Sequence, residues 1–349
     1  MRNKSIILLF MMLTLCKPSA EAQLGGDNTY EFLNLPWSAR ASALGGAVVS
    51  LSDGESSFVL HNPSKASVDM SGTLSLGYVN YLSDISYGSA LYLFNGTGRS
   101  VMAAGLTWLN YGNFTEADNA GNITGTFRAS EYALNLIYSR TIDSMFNVGV
   151  NLKPIISQLE MYNSIGLALD IGASWTSRDG LLSAGVVVRN TGLQITTYAG
   201  EERERLPFEL QAGISKRLSH APFRFTLTMR NLQKFDLTHR YDTTSQQAAL
   251  GSAPQKKDGF AENLFRHLLI GAECLPHPNF WIGAGYNYQR RSELKVNSVA
   301  APAGFSWGFG VNLSGFRIGF ARARYHLAGG SNQFALSFNP GQIYRKIAN

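Results

Sequence analysis

The chain has 349 residues, is 45% apolar and 11% aromatic, holds 35 glycines, and carries 15% charged side chains with a formal net charge of +6. The excess is spread along the chain with no basic run of five or more, which argues against nucleic acid as a partner. No window holds the roughly eighteen consecutive apolar residues of a membrane-spanning helix.

In chain order, the first element is a targeting segment. Arg2 and Lys4 precede an apolar stretch over 5–16, and Ala20-Glu21-Ala22 is a small-x-small cleavage site. The pattern predicts a signal peptide over 1–22 and a mature start at Gln23. Leu13-Thr14-Leu15 lacks the small residue expected before a lipidated Cys16. Cleavage removes Arg2, Lys4, Lys17 and Glu21, a net +2, and leaves +4 of the +6. It also leaves Cys274 as the one cysteine, so the mature monomer has no internal disulfide.

Residues 32–66, read FLNLPWSARASALGGAVVSLSDGESSFVLHNPSKA, form the longest stretch without a strand pattern, and every strand follows it. Ser38, Ala39, Ala41, Ser42, Ala43, Gly45, Gly46 and Ala47 are small, which lets backbone approach backbone closely. Asn62-Pro63 is a turn or helix-boundary signal. The segment is built for a confined space, and Gly45 and Gly46 are expected where no Cβ fits.

From 72 onward the pattern is period two. Phe223, Phe225, Leu227 and Met229 alternate with Arg224, Thr226, Thr228 and Arg230, and Tyr132, Leu134, Leu136 and Tyr138 alternate with Glu131, Ala133, Asn135 and Ile137. One apolar face and one polar or small face is the strand signal. Strands are predicted near 73–81, 85–94, 100–111, 130–140, 145–160, 164–177, 182–190, 208–218, 223–231, 267–275, 280–289, 303–313, 316–325 and 333–338. That is about fourteen, an even number as in bacterial barrels. Even connections are tight, at 95–99, 141–144, 178–181, 219–222, 276–279 and 314–315. Four odd ones are long, at 112–129, 191–207, 232–266 and 290–302, which is the outer-membrane arrangement of short turns on one side and long loops on the other. The strand at 316–325 puts Arg322 and Arg324 on the apolar face of Phe316, Ile318 and Phe320. An Arg facing mid-bilayer lipid costs about 2–4 kcal/mol. Either these two stand above the membrane, or a bulge shifts the phase.

The reading is an all-β transmembrane outer-membrane barrel of about 14 antiparallel strands over 72–338, with a tail at 339–349. Eight strands are filled by their own side chains, but about fourteen leave a hole. The segment over 23–71 is the natural plug, with Ser38, Arg40, Gly45, Gly46, Asp53, Asn62 and Pro63 as its marked positions. Glu209, Arg224 and Arg230 fall on polar strand faces, and Glu31, Asp53 and Glu55 of the plug can pair with them.

Catalytic and metal chemistry find little support. His61, His220, His239, His267, His277 and His326 show no i, i+4 pair, and there is no CxxC. Asp53, Asp118 and Asp236 have no nucleophile–base spacing around them. Gly45-Gly46 lacks the GK[ST] ending of a phosphate loop. No enzyme activity, metal or cofactor is expected.

Several stretches carry a resemblance: TYEFLNLPWSARASALGGA (29–47), LSLGYVNYLSDISYGSA (74–90), NYGNFTEADNAGNITGTFRASEYALNL (110–136), LPFELQAGISKRLSHAPFRFTL (206–227), GYNYQRRSEL (285–294) and YHLAGGSNQFALS (325–337). Together they cover almost all of the mature chain and resemble the PorV/PorQ branch of the FadL-like outer-membrane barrels. The resemblance implies a fourteen-stranded plugged barrel with its amino terminus in the periplasm. It also implies a place in the type IX secretion system, in the cell-surface attachment complex with PorZ, PorU and PorV. There, cargo is joined to lipopolysaccharide among the outer-membrane lipids. The chain departs from many outer-membrane proteins in ending Ile347-Ala348-Asn349 rather than on an aromatic.

Docking needs outward loops with aromatic and charged anchors. Tyr111, Phe114 and Arg128 offer one set, and Phe235, His239, Arg240 and Tyr241 another. Phe235, Arg240 and Tyr241, on the longest loop, are the candidate partner-docking positions. The alternative is a FadL-like transporter of hydrophobic small molecules, which needs an apolar pocket near the outer mouth.

Overall fold

The structure, a computed structural model, describes residues 28–118, 120–198, 200, 202–237, 259–293, 303–313, 315–326 and 329–341. The period-two stretches form fourteen strands: β1 (Leu74–Asn80), β2 (Ser86–Asn95), β3 (Ser100–Ala117), β4 (Ile123–Thr141), β5 (Phe146–Leu159), β6 (Tyr162–Thr176), β7 (Leu182–Thr196), β8 (Glu209–Arg217), β9 (Phe223–Met229), β10 (Leu268–His277), β11 (Phe280–Asn287), β12 (Phe305–Leu313), β13 (Phe316–His326) and β14 (Gly329–Phe338). Each strand pairs antiparallel with its sequence neighbours, and β1 closes on β14 from Leu74↔Phe338 to Asn80↔Asn332. The result is a closed, fourteen-stranded antiparallel barrel with no free edge.

The side-chain arrangement inverts that of a water-soluble sandwich. On β9, Phe223, Phe225 and Leu227 are 45%, 51% and 38% exposed, while Arg224, Thr226 and Thr228 between them are buried. Tyr132, Leu134, Leu136 and Tyr138 stand exposed on β4 in the same way, as do Phe305, Trp307 and Phe309 on β12. A continuous apolar belt is the surface a barrel presents to hydrocarbon, not to water. Among the described residues no helix is long and apolar enough to cross a membrane, which leaves strand crossing untouched.

The wall is uneven in height. β3 and β4 run to 18 and 19 residues, whereas β9 has 7 and β11 has 8. At about 3.4 Å of rise per residue, the β3–β4 side stands well above the β9–β11 side. The expected loop over 112–129 is therefore mostly strand. Pairing resumes past a bulge at Asn113↔Arg128, and Phe114 stacks on Phe127 at 5.1 Å across the hairpin. The glycines, asparagines and threonines of that stretch hid the strand from a period-two reading. The loop over 191–207 also shrinks, because β7 runs on to Thr196. Asn190 takes φ 57 and the β6–β7 register shifts there, so the strand continues out of phase with its first half. Arg322 stays on the outer face in unbroken register with Trp307 and Asn332. The irregularity in β13 falls later, between Ala323 and His326, so Arg322 sits near the strand's long-loop end.

The core lies inside the barrel. Residues 28–72 thread the lumen as a chain of short turns around one helix, α1 (Ala39–Ala43). Tyr30, Phe32, Leu33, Trp37, Val59 and Leu60 pack against Tyr87, Leu91, Leu93, Val101, Ile137 and Ile155 from β2 to β5. The inner face of those strands thus carries apolar side chains for the segment, set among buried polar ones such as Glu131, Asn135, Asn151 and Lys153. Around the other half of the wall the inner face is mostly small, polar and charged, as at Glu209, Gln211, Arg224, Glu273 and Gln333.

Candidate functional site

The candidate site is the contact between the lumenal segment and the wall, together with the two rims it leaves open. Within the segment, each marked polar residue closes a local bond. The Ser38 hydroxyl caps α1 by accepting from the Ala41 amide at 3.3 Å, and Ser57 donates to it at 2.8 Å. Asn62 accepts from the Ser64 amide at 3.1 Å and from its hydroxyl at 2.7 Å, while Pro63 opens the turn Pro63–Lys65. The Asn62 amide then donates across to the Val49 carbonyl at 3.1 Å and to Ala173 on β6 at 3.4 Å. Gly45 and Gly46 end α1 with φ of +106° and +114°. The requirement there is conformational: a Cβ would lie 3.3 Å from Leu269 at Gly45 and 3.2 Å from Arg290 at Gly46, tight but not impossible.

The positions where no Cβ fits are on the wall instead. A Cβ on Gly185 would fall 2.0 Å from the Val49 carbonyl, on Gly172 2.0 Å from Asn62 Oδ1, and on Gly149 2.4 Å from the Pro63 carbonyl carbon. On the opposite side, Gly285 leaves 2.3 Å to the Gly45 amide, and Gly308 leaves 2.9 Å to Ala43. Gly149 pairs with Gly172 across β5 and β6, and Gly271 with Gly285 across β10 and β11, so the wall offers two glycine beds. Both clamp the segment by backbone contact. The steric constraint expected at Gly45 and Gly46 thus falls on the strand glycines that face the segment.

A charged lock joins the segment to β9 and β10. Arg40 Nε donates to Glu273 at 2.7 Å, and Arg40 Nη1 meets Asp53 at 2.8 Å. Arg224, paired opposite Glu273 in register, donates to Glu273 at 2.7 Å and to Asp53 at 3.0 Å. The four side chains close a ring, two from the segment and two from the wall. Glu55 stands 3.9 Å from Arg40, and the Arg40 guanidinium lies 5.0 Å over the Trp281 ring. Burial alone would raise the Asp53 carboxyl, but Arg40 and Arg224 outweigh it and hold it well below the carboxylate range. Glu55 goes the other way, raised by burial that Arg40 and Arg317 offset only in part.

Of the other expected partners, Arg230 pairs with Glu209 within the wall at 2.6 Å, and Glu31, among the described residues, accepts from Asn28 and Asn34. Glu273 was not singled out in the sequence, although it is the one acidic residue on the inner face of β10. Two segment cations are held neutral-prone. Burial pushes Lys65 down to about 7, partly opposed by Asp53, while its Nζ donates to Ser50 and Ser52. Burial beside Arg189 and Arg230 pushes His61 down to about 3, and neither ring nitrogen has a hydrogen-bond partner among the described residues. No group of three His, Cys, Asp or Glu suited to a metal occurs among the described residues.

At the long-loop rim, Phe235 is 50% exposed and stacks on Phe260 at 5.2 Å, beside His267 at 6.1 Å. Phe260 opens the helix α2 (Phe260–Arg266), whose Phe265 meets Tyr288 of α3 (Tyr288–Glu293) at 5.6 Å. Tyr111 is drawn inward, donating to Glu131 at 2.7 Å, whereas Arg128 pairs with Asn113 on the β3–β4 hairpin. His239, Arg240 and Tyr241 lie outside the described residues, as do the signal segment and residues 342–349.

With this geometry in hand, the solved structures decide the architecture. The Pseudomonas putida toluene transporter TodX superposes with a TM-score of 0.54, covering 88% of this chain and 99% of TodX at 12% identity. The fold is that of the FadL-like barrels. A TodX deltaS2 mutant, described as a monoaromatic hydrocarbon channel, gives the same TM-score at 13% identity over 87% of this chain and 98% of its own. A Pseudomonas aeruginosa FadL homologue gives a TM-score of 0.46 at 9% identity, over 87% of this chain and 98% of its own. No protein-family model matches the chain, and no curated protein sequence matches it. At these identities the FadL-like likeness concerns the fold alone.

Proposed function

We propose that this is a non-enzymatic outer-membrane barrel, plugged by its amino-terminal segment, that acts at its outer rim as a docking component of a protein secretion and surface-attachment machine. The observation that carries the reading is the filled lumen: glycine beds on two sides and the Arg40–Asp53–Arg224–Glu273 ring hold the segment across the wall, which leaves the rims as working surface. The sequence stretches resemble PorQ more than its relative PorV, and they point to a PorZ-like partner with PorU and PorV. In this reading the amino terminus is periplasmic and the long-loop rim faces outward. Exposed Phe235 and Phe260, with Arg240 and Tyr241 of the same loop, supply the residue types that dominate interfaces.

The test removes residues 242–257 and compares the surface and medium fractions for the partner at equal barrel levels. Release of the partner into the medium is the expected result. Full retention after shortening each of the four long loops in turn sinks the docking reading.

A second reading has the comparisons behind it, and they lend it more than they lend docking. TodX is a toluene transporter, so the shared fold supports a channel for hydrophobic small molecules. An apolar depression of about 390 Å³ among Tyr138, Val148, Val150, Ile171, Val186 and Val188 lies on the lipid-facing side of the wall, and so is not the pocket near the outer mouth that transport calls for. Passage then requires the ionic ring to open at each event. Uptake of toluene into vesicles holding the purified barrel, above that of empty vesicles, favours this reading over docking.

A further inference from the structure

The ionic ring borders a cavity of about 180 Å³ at the tight-turn rim, lined by the ends of β8 to β14. Four guanidiniums line it, Arg40, Arg217, Arg224 and Arg317, against two carboxylates, Asp53 and Glu55. Arg40 and Arg224 are spent on Asp53 and on Glu273 behind them. Arg317 donates to the Gly54 carbonyl and forms no ion pair among the described residues. Arg217 has neither an ion pair nor a side-chain hydrogen bond among them. Counting Glu273, the cluster still holds four cations to three anions, and Arg217 and Arg317, the two without an ion pair among the described residues, are also the two that are not buried.

Part of the lining is apolar: Trp281, Leu275, Ala39 and Ala335 come together over Gly319, with the Arg40 guanidinium stacked on the Trp281 ring beside them. A planar guanidinium fork selects carboxylate or phosphate oxygens. An apolar wall beside that fork selects an anion with an apolar body. A cavity of about 150 Å³ lined by apolar side chains holds one benzene ring, so this one matches a single aromatic or short-chain acid.

We propose that the tight-turn cavity is a binding site for a small organic carboxylate, its oxygens on Arg217 and Arg317 and its body against Trp281 and Ala335. The site is independent of both readings of the barrel's task, since it neither touches the long-loop rim nor requires the segment to move. Benzoate is the probe, titrated calorimetrically into the purified full-length barrel in detergent, beside inorganic phosphate and the neutral benzyl alcohol. Benzoate is expected to bind best of the three. Arg217→Gln, outside the ionic ring, is expected to weaken it about tenfold, the loss of one charged hydrogen bond. Ala335→Phe fills the cavity and is expected to abolish binding. Unaltered heat-modifiable mobility shows that either variant has folded. Absence of benzoate binding up to its solubility, or equal binding in both variants, overturns the site. Phosphate or benzyl alcohol binding as tightly as benzoate overturns the assigned class, the first against the apolar body and the second against the charge.

Discussion

The lumenal segment is held in two different ways by two halves of the same wall. Against β2 to β7 it is gripped by apolar packing and by glycines that admit its backbone: Trp37 meets Tyr87 edge-on at 5.5 Å, and the Asn62-Pro63 turn rests on Gly149, Gly172 and Gly185. Against β9 and β10 it is gripped by charge, through Arg40 and Asp53 on Glu273 and Arg224. The first grip depends chiefly on shape, with one charged contact, Arg189 on the Leu33 carbonyl, and the buried His61 next to the Asn62-Pro63 turn. The second depends on ionisation and borders solvent at the rim cavity.

The largest effect is expected from Arg40→Ala, which leaves Asp53 and Glu273 sharing one arginine. Removing one partner of a buried ion set costs about 3–5 kcal/mol, read as a lower unfolding temperature of the purified barrel and as new conductance in planar bilayers. On the shape side, Gly185→Ala drives a Cβ toward the Val49 carbonyl, which is backbone and cannot rotate away. Overpacking of this kind costs about 1–3 kcal/mol, and its effect should be the same at high and low salt, unlike that of Arg40→Ala.

Acidification reaches both halves, through His61 in one and Asp53 in the other. His61 sits near 3 in the folded barrel against an ordinary 6.5, so between those values only the unfolded chain carries the proton, and stability falls as pH drops through that window. Asp53, held low, adds stability that is present above its ordinary 3.8 and is lost as pH falls below it. Glu55, raised, works against both. Unfolding temperatures measured from pH 7 to pH 3 should therefore fall. His61→Leu, which removes two unpaired buried nitrogens, should flatten the upper part of that curve without loss at pH 7. The smallest effect is expected at the end of α1. Gly46→Ala meets a φ of +114° that an alanine resists, at roughly 1 kcal/mol, read as a small drop in the unfolding temperature.

Much of this architecture was legible because the period of a strand is two and the outer face has one demand. Phe223, Phe225 and Leu227 must meet lipid, so the count of fourteen and the outward face emerge from alternation alone. The strand ends did not emerge, since the bulges at Asn113 and Asn190 shift the phase in mid-strand. The inner face is harder because its demands vary around the barrel. Arg40, Asp53 and Arg224 stood out as charges in an uncharged setting. Glu273 and the wall glycines acquire meaning only once β5, β6, β7 and β10 are curled around a segment far away in sequence. Trp281 falls in sequence on the face of Gly283 and Gly285, away from Phe280 and Ile282, yet it is the aromatic floor under Arg40.

The closure of β1 on β14 has a consequence for the order of assembly. Leu74 pairs with Phe338, so the last seam joins the two extremes of the strand-forming chain, and contacts this distant in sequence form slowly. The segment that ends inside is made before any of the wall. It therefore has to wait, exposed, while thirteen hairpins and seams are laid down around it, and only the final zippering encloses it. Its own capped turns, closed by Ser38 and Asn62 within a few residues, give it a shape to keep during that wait. Until the wall arrives, Phe32, Trp37, Phe58 and the other apolar side chains that will meet it have no cover of their own.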